Sequence, residues 1–135
     1  MDNLLNKLFP ICRSITGKGF LSSLKIIKEG IPKIKIKSFR SGTKVFDWKI
    51  PYEWNVKNAY VKDKFGKKII DIEVNNLHLV GYSSPVEKKI SKKQLLKRIY
   101  SIKKQPNAIP YVTSYYKRYW GFCLSYNQKK KIIKK

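Results

Sequence analysis

The chain has 135 residues, of which 31 are Lys or Arg and 8 are Asp or Glu, so its formal net charge at pH 7 is +23. This length predicts one domain, or one domain with part of another, and a chain that is 42% hydrophobic and 13% aromatic is not expected to be disordered. No apolar run approaches the roughly 18 residues of a membrane-spanning helix, and the first residues read poorly as a secretory signal. We therefore expect a cytoplasmic protein without a membrane partner.

The first thirty residues predict two helices. Leu4, Leu5 and Leu8 share one face of a short helix that ends before Pro10. After a break at residues 17–19, apolar side chains recur at helical spacing, and these are Phe20, Leu24, Ile27 and Ile31. Pro32 follows the last of them, which indicates the end of the second helix.

From Lys33 the apolar period changes to two, which is typical of strands with one buried face. Turn signals occur at Ser41–Gly42 and again around Gly66. The predicted strands are residues 33–37, 45–50, 54–61, 70–74 and 77–82. Short strands at this spacing predict an antiparallel sheet or a small sandwich.

The second half contains one predicted helix, at about residues 91–102. Ser91 and Gln94 have the spacing of a capping box, and Leu95, Ile99 and Ile102 form its buried stripe. Two closing strands are predicted at residues 112–116 and 122–126. Residues 127–135 show no cap, turn or apolar period, so we interpret them as an unfinished basic tail.

The fold class predicted from these elements is α+β, with N-terminal helices, a mostly antiparallel sheet or small sandwich, and one further helix. The predicted organisation is a helical segment at residues 1–32, a β-rich domain at 33–126 and the basic tail at 127–135.

The chain offers few groups for catalysis or metal binding. His78 is the one histidine and has no acidic residue at ligand spacing, so we interpret it as structural and predict no metal ligand. Asp71 and Glu73 share a strand face that is expected to be solvated. Cys12 and Cys123 are expected to be buried thiols, although the sequence leaves open whether they approach closely enough for a disulfide. No catalytic residue is predicted.

Two places are candidate binding sites. Arg13 lies just before the start of the second helix, where backbone N–H groups favour an anion, although a structural ion pair is the alternative. An aromatic and basic cluster follows near the end of the chain, and its candidate residues are Tyr115, Tyr116, Lys117 and Trp120. Such a cluster can stack on bases or sugars. The alternative is that its aromatic rings fill the core of the sheet while the basic residues face water.

The positive charge is diffuse. Arginine occurs at positions 13, 40, 98 and 118, and the other basic residues are lysines in every segment. This charge predicts non-specific attraction of anions. Specific phosphate recognition usually shows as clusters with arginine. The high frequency of Lys, Ile, Asn and Tyr is also the bias expected of an AT-rich genome, whose codons favour these residues.

Four motifs carry a resemblance to a known family. They are Leu8–Gly17, Ser41–Trp48, Leu77–Ser84 and Ala108–Ser125. In this order they resemble the N-terminal part of a bacterial aminopeptidase-like family, which is similar to the co-catalytic zinc exopeptidases. In that family a helical segment and a β-rich region of unknown function precede, or are inserted into, the peptidase core, and some members are linked with polysaccharide biosynthesis. The resemblance implies zinc for the full-length family, held by residues of the core, and assigns no catalytic or zinc-binding residue here.

The leading functional expectation is an accessory N-terminal portion of a zinc aminopeptidase-like protein, truncated or split before the metal site and not catalytic by itself. Its expected partners are the missing peptidase core or a second copy of the chain. Two alternatives remain open. One is a small basic module that binds nucleic acid or an anionic polysaccharide, and the other is a partner subunit of a separately encoded core.

Overall fold

The computed structural model describes residues 2–134. The chain divides into two compact units, of which the first ends at Lys57 and the second begins at Asn58. The predicted domains at 1–32 and 33–126 remain predictions.

The first unit contains two helices and one hairpin. Helix α1 spans Asp2–Leu8 and packs against helix α2, Gly17–Gly30. Gly19 permits this arrangement, because a Cβ at that position would overlap the carbonyl group of Cys12. The helical spacing of the apolar residues in the sequence thus predicted α2 correctly.

The predicted strand at residues 45–50 is wrong, because the chain reverses within it. Strands β1, Lys44–Val45, and β2, Trp48–Lys49, pair antiparallel in a hairpin. Its two-residue turn begins at Phe46, which has a φ of 52°. Residues 33–37, also predicted as a strand, form no regular structure. Alternation of apolar residues does not make a strand without a neighbour to accept and donate its hydrogen bonds.

The second unit begins with a hairpin. Strands β3, Tyr60–Lys62, and β4, Lys68–Asp71, pair antiparallel with an irregularity between Val61 and Lys62. The predicted strands at 54–61 and 70–74 are therefore shorter than expected. A turn of 3₁₀ helix at Asn76–His78 replaces the start of the strand predicted at 77–82, because the side chain of Asn75 accepts a hydrogen bond from the N–H of Leu77 at 2.9 Å.

Helix α3 spans Lys92–Leu96, and its capping box is confirmed. The N–H of Gln94 donates to Ser91 Oγ at 3.2 Å, and the N–H of Ser91 donates to Gln94 Oε1 at 2.9 Å. The predicted extension of this helix to residue 102 is wrong. Strand β5, Ile99–Tyr100, instead pairs parallel with strand β6, Phe122–Cys123.

The closing region also differs from the prediction. Residues 112–116 contribute one isolated parallel bridge, between Thr113 and Gly81, and the strand predicted at 122–126 is limited to β6. Helix α4 spans Tyr126–Lys134, a regular element that the sequence pattern did not predict there, while the unfinished tail at residues 127–135 remains a prediction. Ser125 and Gln128 form a second reciprocal cap at its start, with distances of 2.9 and 3.2 Å. Lys135 lies outside the described residues.

The apolar core belongs to the second unit. Its fully buried cluster comprises Ile70, Leu95, Ile99, Phe122 and Leu124, against which Ile132 of α4 packs. Two of the three small sheets are antiparallel, and the α+β class predicted from the sequence is confirmed. Between Asp2 and Lys134, no helix has both the length and the apolar character that a bilayer crossing requires.

Candidate functional site

The first unit has almost no buried apolar side chain. Among its residues whose burial is described, only Ser14, Ser23 and Pro51 are fully buried. Its large apolar side chains are instead exposed, and these are Leu4, Leu5, Phe9, Ile15, Phe20, Leu21, Ile31, Phe39, Phe46, Trp48 and Tyr52. Apolar side chains that a small unit leaves uncovered are available to bind another protein. We call these exposed side chains the apolar surface of the first unit.

Arg13 lies in this unit and has a structural contact. Its Nη1 donates to the carbonyl oxygen of Leu8, the last residue of α1. A cation at this position also interacts favourably with the negative end of the helix dipole. The N–H of Lys18 at the start of α2 donates to Asn55 Oδ1 at 2.7 Å. Arg13 as an anion-binding residue remains a prediction.

The predicted aromatic and basic cluster lies in the second unit, where its members have different environments. The ring of Tyr115 packs edge-on against that of Tyr82, with centroids 5.0 Å apart. Tyr116 and Lys117 are exposed, whereas Trp120 is half-buried. Trp120 packs edge-on against Phe122, which belongs to the core.

A residue that the sequence analysis did not select, Arg98, organises the aromatic rings around Trp120. The guanidinium carbon of Arg98 lies 4.7 Å from the ring centre of Tyr119 and 5.0 Å from that of Trp120. Lys88 Nζ lies 5.5 Å from the Trp120 ring. The hydroxyl of Tyr100 donates to that of Tyr119 at 3.1 Å. We call these five residues the Arg98 platform.

Both backbone polar groups of Arg98 make hydrogen bonds. Its N–H donates to the carbonyl of Leu95, and its own carbonyl accepts from the N–H of Phe122, each at 2.8 Å. Gly121 allows this approach, since a Cβ there would lie 2.9 Å from the Arg98 carbonyl oxygen. The carbonyl of Tyr119 accepts from the N–H of Ser84 at 2.7 Å. The guanidinium and the rings thus extend from fixed segments of backbone.

The electrostatics of the platform are dominated by positive charge. Within residues 2–134 the ion pairs are Lys7 with Glu29 and Lys68 with both Asp71 and Glu73, so neither cation of the platform has a carboxylate partner there. The hydrogen bond to Tyr119 raises the pKa of Tyr100, and burial adds to this, while the charge of Arg98 opposes it.

No local pattern in the sequence indicates that these five residues come together. Arg98 lies more than twenty residues before Tyr119, within the helix predicted at about residues 91–102. Only the parallel pairing of β5 with β6 brings the two segments together.

The described residues do not fit a co-catalytic metal site. No group of three or more His, Cys, Asp or Glu side chains lies close enough together between residues 2 and 134. Nδ1 of the buried His78 is 2.8 Å from the carbonyl oxygen of Cys123. Asp71 contacts Lys68 Nζ at 2.7 Å, and this hydrogen bond lowers the pKa of the carboxyl group.

The two cysteines are free thiols. Cys123 is fully buried and Cys12 is half-buried. Burial raises the pKa of both thiols, that of Cys123 to about 11. A high pKa leaves little of the reactive thiolate at neutral pH, which makes a nucleophilic role for Cys123 unfavourable.

Comparisons with known proteins place this geometry in a family. A protein of Clostridium acetobutylicum named "Putative polysaccharide biosynthesis protein with aminopeptidase-like domain" is 49% identical over 126 residues, which are 93% of this chain and 29% of that protein. A crystal structure of a "putative peptidase" from the same organism matches with a TM-score of 0.89 and 48% identity, over 96% of this chain and 30% of the other. The chain therefore spans less than a third of the length of these relatives.

The match to the family itself covers the whole second unit. Residues 53–135 correspond to the family described as "Domain of unknown function (DUF2172)", which is more than half of the chain. The resemblance found in the sequence motifs is confirmed, and the chain belongs to the DUF2172 family.

Proposed function

We propose that this chain acts as an accessory region of an aminopeptidase-like protein and that the apolar surface of its first unit binds the aminopeptidase-like domain. The observation that carries this proposal is the lack of a buried large apolar side chain among the described residues of the first unit. The relatives support the choice of partner, since one of them is named for an aminopeptidase-like domain and this chain corresponds to 29% of its length.

Helix α2 illustrates why a partner is required. Phe20 and Leu21 in this helix are 39% and 44% exposed, and Ile31, which follows its last residue, is 54% exposed. Removing a fully exposed side chain of this size from water is worth about 1.5–3 kcal/mol, so covering the exposed half of one of these is worth roughly half of that. Contacts made by most of the exposed apolar side chains of the first unit would be needed to offset the cost of association, which is on the order of 4–15 kcal/mol.

Phe46 is the most exposed of the apolar side chains in the first unit. It is 91% exposed at the turn of the β1–β2 hairpin, and its φ of 52° is a conformation that L-residues adopt at a cost of about 1–2 kcal/mol. Glycine would suit this turn better. An aromatic residue held there in strain is explained if its ring enters a pocket of the partner.

The chemistry of this assembly would belong to the partner domain. Zinc, the hydrolytic groups and the peptide substrate are assigned to the aminopeptidase-like domain, because the residues described here do not fit the metal. A cytoplasmic location forms part of the same proposal. The proposed contact is with the same aminopeptidase-like domain in both cases, that is, whether this domain and the present residues belong to one polypeptide or to two.

The test uses the purified chain and a separately produced aminopeptidase-like domain of the Clostridium acetobutylicum relative. Isothermal titration calorimetry is expected to show a one-to-one complex. Phe46→Ser is expected to weaken it about tenfold or more, since the exposed ring loses about 1.5–3 kcal/mol of burial, whereas Leu21→Ser, at a side chain that is 44% exposed, should weaken it several-fold. The matched control is Phe65→Ser, because Phe65 is 84% exposed in the turn between β3 and β4 of the second unit.

Three results would contradict this proposal. One is the absence of a complex, and another is an equal loss of affinity with Phe65→Ser. A third is self-association of the chain that Leu21→Ser abolishes, which would assign the apolar surface to a homo-oligomer. In the same samples, the chain alone is expected to release no N-terminal amino acids from peptides.

A further inference from the structure

We infer that the Arg98 platform is a binding site for the carboxylate of an acidic sugar in an anionic polysaccharide. This site lies wholly in the second unit, so the inference does not depend on the proposed role of the apolar surface of the first unit.

The two cations of the platform, Arg98 and Lys88, have no carboxylate partner among residues 2–134. The side chain of Arg98 also makes no hydrogen bond among these residues. Its planar guanidinium presents a fork of N–H donors that fits a carboxylate with two parallel hydrogen bonds. Lys88 places a second positive charge beside the same Trp120 ring. Two cations near one ring without a counter-ion favour an anionic ligand.

The guanidinium of Arg98 is already held in place without a ligand. Backbone hydrogen bonds fix Arg98 to Leu95 and Phe122, and its side chain lies over two rings, of which Trp120 packs against the core. A flexible surface lysine must lose side-chain freedom on binding, whereas a stacked arginine has lost most of it already. This distinguishes Arg98 from the diffuse lysine charge of the chain.

The aromatic rings of the platform suit a sugar better than a nucleobase. Binding of single-stranded nucleic acid relies on exposed ring faces for base stacking. Arg98 covers a face of Tyr119 and of Trp120, and the edge-on contact with Phe122 further restricts Trp120. The neighbouring hydroxyls of Tyr100 and Tyr119 can exchange hydrogen bonds with sugar hydroxyls, and Tyr100 is 38% exposed. A carboxylated sugar fits this combination of groups.

The test measures binding of trigalacturonate, a short carboxylated sugar, to the whole chain in about 150 mM salt, where surface charges are screened beyond about 8 Å. Trp120 fluorescence is the readout, in a Trp48→Phe, Trp54→Phe background. Arg98→Lys keeps the net charge but removes the fork, and we expect about a tenfold or greater loss of affinity. The control is Arg118→Lys, which makes the same change at an exposed arginine and should leave the affinity unchanged.

A second pair of variants avoids any effect of Arg98 on folding. Lys88→Gln is expected to weaken binding several-fold, whereas Lys89→Gln, which removes the same charge from an exposed neighbour, is not. The methyl ester of trigalacturonate should bind much more weakly than the free acid, since it lacks the charged carboxylates.

The inference is overturned by any of four results. These are no binding of trigalacturonate, equal binding of its methyl ester, equal effects of the Lys88 and Lys89 variants, and tighter binding of a short oligothymidylate that Arg98→Lys abolishes. The last result would identify the platform as a nucleic-acid site.

Discussion

Gly121→Ala is a stringent test of how the second unit is assembled. The added Cβ would lie 2.9 Å from the Arg98 carbonyl oxygen, 3.1 Å from Cε1 of Tyr119 and 3.2 Å from Cγ2 of Val80. The carbonyl oxygen cannot retreat freely, because it accepts the hydrogen bond from the N–H of Phe122 at 2.8 Å. The variant must therefore strain the core or weaken the pairing of β5 with β6.

The size of the effect follows from three contributions. Overpacking costs about 1–3 kcal/mol and weakening one backbone hydrogen bond about 1 kcal/mol. Replacing glycine also lowers the conformational entropy of the unfolded chain, which stabilises the folded state by about 0.4–1 kcal/mol. We expect the free energy of unfolding to fall by about 1–3 kcal/mol, a large part of the 5–15 kcal/mol that is typical of a domain.

The assay is urea unfolding followed by Trp120 fluorescence, with Trp48 and Trp54 replaced by Phe. With a typical urea dependence of about 1–3 kcal/mol per M, the midpoint should fall by about 1 M. The control is Gly30→Ala, because a Cβ at Gly30 meets no atom within 4 Å and Gly30 ends a helix. An unfolding free energy of Gly121→Ala within about 0.5 kcal/mol of the parent would refute the reasoning, since that is the range of neutral surface changes.

Three further predictions concern single groups of the second unit. Ser125→Ala should reduce the free energy of unfolding by about 1 kcal/mol in thermal melts, because it removes the cap of α4, and an unchanged melting curve would contradict that role. Lys68 holds the pKa of Asp71 below its ordinary value of 3.8, so the stability from this pair is present above that pH and is lost as the pH falls through the native pKa. When the free energy of unfolding is measured at decreasing pH, Asp71→Asn should lose less of it than the wild type does. Because burial encloses the Cys123 thiol and raises its pKa to about 11, native Cys123 in a Cys12→Ser variant should react with Ellman's reagent at pH 8 at least about tenfold more slowly than the unfolded thiol, and equal rates would place it at the surface.

Local patterns predicted the helices better than the strands. The stripe on α2 and the cap of α3 depend on residues within four positions of each other, so the sequence alone shows them. The Ser125–Gln128 cap of α4 has the same spacing and was available to the same reasoning, but the lysine run that follows it suggested a tail. Strand predictions failed where apolar alternation continued through a reversal, as at Phe46, or had no neighbouring strand, as at residues 33–37.

The candidate site shows the same division. Trp120 was selected from the sequence because aromatic and basic residues are adjacent there, whereas Arg98 carried no local signal. Arg13 was selected for its position before a helix, yet its contact is with the end of the preceding helix at Leu8. A side chain's partner depends on which segments meet, and local sequence does not encode that.

The sequence by itself determined the α+β class, the family resemblance, the second helix and the cap of α3, because each rests on composition or on neighbouring residues. The tertiary structure decided that the first unit leaves its apolar side chains uncovered and that β5 joins β6 in parallel. Both depend on contacts between segments far apart in the chain, and the free energy of such contacts is set by packing rather than by local propensity.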